Sequence, residues 1–280
     1  MLMKTTGGLQ FRRWILFAGA ALALAWVAAG LSACASKSDS GPGSPHTDIV
    51  TESDETDVRK RARLRLELAV GYFEQGQTNV ALDELKQSLA ADPNFADAFN
   101  LRGLIYMRLG DARLAEDSFR RALAISPRDP NIVHNYGWML CQQARYPESQ
   151  TALAQAIAAP QYAGRAKSWM AQGLCQVRAG QRPEAEQSLQ RSYELEPGNP
   201  ITGYNLASLM YQRGEFARAQ FYARRINNSE LANAESLWLG IKVERRMENR
   251  DAVQQLASQL RKRFAQSREL AAFDRGAFDE

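Results

Sequence analysis

The chain has 280 residues, room for one large domain or two. Its 35 Lys and Arg against 31 Asp and Glu give a net charge of +4. Lys4, Arg12 and Arg13 are the only charged residues in the first 33, so the remainder is close to neutral and charge lends no support to nucleic-acid binding. The two histidines, His46 and His134, belong to no cluster with metal-ligand spacing. There is no G-x-S-x-G, no phosphate loop and no G-x-G-x-x-G. No catalytic group, cofactor, metal or small-molecule substrate is expected.

In chain order, a basic start is followed by the uncharged run Trp14–Ser36, 23 residues long. That length crosses a bilayer, so a retained anchor and a secretory signal both fit. Leu31-Ser32-Ala33-Cys34 resembles the bacterial lipobox, a branched apolar residue and two small ones before a cysteine. The resemblance implies that residues 1–33 are a signal peptide, removed before Cys34, whose thiol takes a diacylglycerol. Ala35 and Ser36 follow in place of an Asp, which favours the outer membrane over the inner. Residues 34–57 are rich in Ser, Asp, Gly, Pro and Thr and are expected to form a flexible tether. Its root-mean-square reach is roughly 25–30 Å.

The rest repeats. Tyr72 and Tyr106, Gly76 and Gly110, Ala81 and Ala115, and Pro93 and Pro127 are each 34 apart. Gly180 and Gly214, and Ala185 and Ala219, keep the same step. Gly110 to Gly180 is 70, so two residues are inserted between them, placed here in Ala158–Tyr162. The period and pattern resemble the tetratricopeptide repeat. In the second unit Phe99, Gly103 and Tyr106 lie on a first helix, and Ala115, Phe119 and Ala122 on a second. Gly103 and Ala115 let the pair cross closely, Tyr106 and Phe119 fill the crossing, Gly110 turns the chain and Pro127 stops it. In unit three Ser149 replaces the small Ala of the second helix. The expected fold is all-α, a right-handed solenoid of about six repeats over residues 58–270. Units begin near Ala62, Ala96, Pro130, Ala166, Pro200 and Asn233. Asn228 or Ser229 is expected to cap the last pair, and Asp251–Phe264 to end the stack. Residues 271–280 are expected to be a frayed or lightly docked tail.

A solenoid of this kind holds protein segments in a groove lined by its first helices. The faces that avoid the core give Leu66, Val70 and Phe73, then Asn100, Leu104 and Met107, then His134 and Trp138. Met170, Leu174 and Val177 continue the strip, and Tyr204 and Tyr211 close it. Asn100 and Asn135 resemble asparagines that clamp peptide backbones in some such grooves. His134, alone on its helix, reads as structural or solvated before chemical. Cys141 and Cys175 are 34 apart on first helices of adjacent units. They are either a disulfide or two small buried apolar residues.

Three stretches are more particular: "NIVHNYGWMLCQQARYPES" (Asn131–Ser149), "SLWLGIKVERRMENRDA" (Ser236–Ala252) and "LRKRFAQSREL" (Leu260–Leu270). With the lipobox, tether and six repeats, they resemble the type IV pilus biogenesis and stability lipoproteins, the PilF or PilW pilotin family. In the third stretch Ala265 stands where the family has Pro. The resemblance implies a monomeric outer-membrane lipoprotein that binds the type IV pilus secretin and promotes its localisation and multimerisation. The alternative is a repeat scaffold for another envelope machine, in outer-membrane protein insertion or the regulation of peptidoglycan synthesis.

Overall fold

The computed structural model describes residues 55–278. Cys34, the signal peptide and all but the end of the tether lie outside the described residues. Six helical hairpins follow one another: α1 (Asp57–Glu74) with α2 (Thr78–Ala91), α3 (Ala96–Leu109) with α4 (Ala112–Ile125), and α5 (Pro130–Gln142) with α6 (Tyr146–Ala158). Then come α7 (Arg165–Arg178) with α8 (Arg182–Leu195), α9 (Pro200–Gln212) with α10 (Phe216–Asn227), and α11 (Ala234–Arg246) with α12 (Arg250–Arg263). A short α13 (Arg268–Asp274) ends the order. The first helix begins at Asp57, capped by the Thr56 side chain, which accepts from the Arg59 amide.

The small residues act as the repeat pattern requires. A Cβ on Gly103 would lie 2.7 Å from the Phe119 ring, and one on Gly173 would lie 2.6 Å from Leu189. The second helix therefore rests on the bare backbone of the first. Phe119, Ala115 and Ala122 are fully buried at that crossing. Ser149 does the same work as an alanine because its hydroxyl, buried, donates to the Gly137 carbonyl at 2.7 Å. The inter-helix turn of unit two places Gly110 at φ 77°, in the left-handed region. Ala144 and Glu248 hold the same place in units three and six, at φ 59° and 58°, and carry the steric cost that glycine avoids.

The inserted pair falls where it was placed. The α6–α7 link spans residues 159–164, two longer than the links at 92–95, 126–129 and 196–199. Tyr162 buries itself in that link. The last pair is capped differently from expectation. α10 runs on to Asn227, and Asn228 is its C-terminal cap. Asn233 caps α11 instead, in a reciprocal box with Ser236.

Each helix packs on its hairpin partner and on the next unit. Successive first helices also touch one another, whereas successive second helices do not. The stack therefore curves with α1, α3, α5, α7, α9 and α11 on its inner side. α12 does not end it: α13 packs on α11 and α12, in the place of a further first helix. Of the two forms expected for the tail, frayed or lightly docked, the residues as far as Phe278 take the docked one. The Trp238 ring centroid is 5.3 Å from that of Phe278 and 6.4 Å from that of Phe273, and Arg245 lies 3.9 Å over Phe278. Apolar burial by Phe273 and Phe278 closes the last unit, as a terminal cap must. No helix among the described residues is long and apolar enough to cross a membrane.

Candidate protein-binding groove

The expected strip occupies one face of the inner helices. Leu66, Val70 and Phe73 on α1 are spaced i, i+4, i+7, as are Asn100, Leu104 and Met107 on α3, and Met170, Leu174 and Val177 on α7. Val70 is exposed; the others are half-buried, as are Trp138, Tyr204 and Tyr211. Leu66, Phe73 and Leu104 lean on the core of the first two units, and Val177, Tyr204 and Tyr211 on that of the fourth and fifth. Each contributes to packing with one edge and leaves another open.

His134 is the departure. It is buried between first helices, with Nδ1 2.8 Å from the Ser168 hydroxyl. Burial, with the nearby Lys167 charge adding, holds its imidazole down to a pKa of about 4. It is therefore neutral at physiological pH and belongs to the α5–α7 seam, not to the groove surface. The expectation that His134 lines the groove is corrected: the seam is tight enough to close over a ring that a helical wheel leaves facing outward.

Asn135 donates to the Asn100 Oδ1 at 3.0 Å, so the two asparagines brace α3 against α5. Each keeps part of its amide open, being half-buried. Cys141 on α5 and Cys175 on α7 stand with Cα atoms 5.7 Å apart and their sulfurs placed as a disulfide. Both are buried.

Several groove features carry no sequence signal. Arg108 lies 4.4 Å over Phe73, Arg178 5.0 Å over Trp138, and Lys242 5.7 Å from the Tyr211 centroid. Each cation comes from a first helix one unit along and roofs an aromatic of the one before. The spacing within these pairs varies from one to the next, so no period reveals them. Cations outnumber acids on α1, α3, α7 and α11, while α5 and α9 carry no charge. At the N-terminal end, Leu66, Val70 and Phe95 floor a hollow of about 510 Å³, rimmed by Arg63, Glu67 and Asp97. The face thus offers apolar and aromatic surface, roofed by cations at Phe73, Trp138 and Tyr211 and edged by carboxylates at the N-terminal hollow, suited to a protein segment with apolar side chains. Among the described residues no group of His, Cys, Asp and Glu could hold a metal ion.

The tetratricopeptide repeat model matches residues 66–130 and 140–200. The solved structure of Pseudomonas aeruginosa PilF superposes with a TM-score of 0.72 at 27% identity, over 79% of this chain and 100% of that one. PilW, a widely conserved type IV pilus biogenesis factor, superposes with a TM-score of 0.70 at 29% identity, over 78% and 99%. This chain is similar to PilF and PilW in both fold and sequence, and it is built of tetratricopeptide repeats. In sequence, the type IV pilus assembly protein PilF of Pseudomonas aeruginosa is 27% identical over 247 residues, 88% of this chain and 94% of that protein. The likeness runs nearly end to end, so it concerns the number and order of units as well as the repeat. The MamA protein, at 18% identity and a TM-score of 0.50, shares the fold alone.

Proposed function

We propose that this protein acts in type IV pilus biogenesis as an outer-membrane lipoprotein that binds the pilus secretin and promotes its assembly. The end-to-end likeness to PilF and PilW carries the reading. The lipobox Leu31–Cys34 supports a lipid anchor, and the polar segment after it supports a leash. The inner face supplies a surface for a protein segment. The mechanism is association without bond chemistry. Cys34 holds the solenoid at the membrane, the groove holds a secretin subunit, and tethering raises the local concentration of subunits, favouring the ring.

The test uses the full chain in its own host. Wild type is expected to co-purify with the secretin and to support rings in the outer membrane. Val70→Glu, which places a charge in the exposed hollow, should lose the secretin while keeping its helical content. Cys34→Ala should keep binding but leave the secretin out of the outer membrane. Recovery of a cell-wall synthase or barrel-insertion machine with no secretin would replace this reading with the other envelope-scaffold role.

A further inference from the structure

A second surface lies away from the groove, on the second helices of units four and five. Tyr193 of α8, Pro197 of the link, Pro200 at the start of α9, and Tyr222, Ile226 and Leu231 beyond it wall a cavity of about 240 Å³. The Tyr193 and Tyr222 rings meet edge to face with centroids 5.1 Å apart. The two prolines stiffen the link, so the wall is formed before anything binds. The volume is below the range of small-molecule pockets and matches a single large side chain.

Three observations mark this cavity as unfinished. The Tyr193 hydroxyl is buried and has no hydrogen-bond partner among the described residues. Phe221, in ring contact with Tyr222, is 59% exposed, and Leu231 is 53% exposed. Phe221 on α10 and Leu231 in the link after it thus leave apolar surface open beside the cavity. The third is charge. α10 carries three arginines and no acid. Arg218 pairs with Glu186 and Glu215, and Arg224 pairs with the buried Glu244. Arg225 stands 5.8 Å from the Tyr193 ring, with no carboxylate partner among the described residues.

We propose that this cavity is a second protein-docking site, which seats one large apolar side chain of a partner segment whose neighbouring carboxylate pairs with Arg225. A carbonyl of that segment accepts from the Tyr193 hydroxyl. The cavity takes Pro200 and Gly203 from the start of α9 besides its walls on α8 and α10, but none of the groove residues lines it, so both can be occupied at once. A cavity open on one side and sized for one side chain favours a peptide over a membrane surface, which would need only the exposed Phe221 and Leu231.

The test uses the full chain with labelled Leu and Ile methyl groups and three short Gly/Ser peptides carrying a central Leu-Asp, Leu-Lys or Ser-Asp. The Leu-Asp peptide should shift the Leu231 and Ile226 methyl signals saturably, about ten-fold more tightly than the other two. Arg225→Glu, on an exposed side chain, should transfer the preference to Leu-Lys. Equal responses to the three peptides, shifts elsewhere, or no saturable shift would overturn the proposal. So would Arg225-dependent binding to phosphatidylglycerol vesicles with no peptide response, which would make the patch a membrane contact.

Discussion

The pair Cys141–Cys175 ties α5 to α7, closing a loop of 34 residues that contains α6 and the lengthened link 159–164. The bridge is expected to stabilise the stack chiefly by restricting that loop in the unfolded chain. For a loop of this size the chain-entropy relation gives about 13 cal/mol/K, or about 4 kcal/mol at 25 °C. Removing the sulfurs by Cys→Ala would add a packing loss, since both side chains are buried. The cleaner comparison therefore keeps every atom: protein reduced in denaturant and refolded, against protein left oxidised. With a urea slope near 2–3 kcal/mol/M, the reduced form should unfold ~1.3–2 M earlier, followed by helical circular dichroism. Because repeats couple only to their neighbours, the loss should split the transition, with units one to three separating from four to six. Thiol alkylation of the unfolded protein, without reductant, should label neither cysteine in material taken from an oxidising compartment. Two labelled thiols in that material, or a midpoint that reduction does not move, would refute the reasoning.

Other outcomes are equally specific. The His134 imidazole is lowered from 6.5 to about 4 in the folded state, so the unfolded chain binds the extra proton and stability falls as pH drops from 6.5 to 4, by about 3 kcal/mol in all; His134→Gln should flatten that part of a urea-midpoint-against-pH plot. Gly103→Ala puts a methyl group 2.7 Å from the buried Phe119 ring and should cost about 1–3 kcal/mol by chemical denaturation. Adding Phe119→Leu should recover part of that loss, because it removes the ring atoms that the new methyl group meets. Ala144→Gly and Glu248→Gly, at φ 59° and 58°, should each raise the unfolding free energy by about 0.5–1 kcal/mol, since glycine occupies that conformation without strain.

The repeat was legible in the sequence because its constraints are local and recur. A helix crossing needs a small residue, as at Gly103 and Ala115, and a tight turn favours glycine, as at Gly110. A fixed period exposes both, and it located the inserted pair from a single change of step. The turns at Ala144 and Glu248 were less legible, because neighbouring packing holds them in a conformation that their own side chains disfavour. The cap at Asn233 was missed for a related reason. Asn228 and Ser229 have the right chemistry, and only the length of α10 decides which polar residue meets the free amides of α11. The apolar strip of the groove followed from helical spacing, yet His134 left it, because burial depends on how closely α5 and α7 approach. The cationic roof over Phe73, Trp138 and Tyr211 has no period, and the docking of Phe273 and Phe278 on Trp238 no motif. By itself the sequence determined the hairpins, their number and their order, since these rest on contacts within one or two units. Which side chains face solvent, which cysteines and aromatics meet, and where the stack ends were decided by tertiary structure, since those depend on distances between units that no single helix encodes.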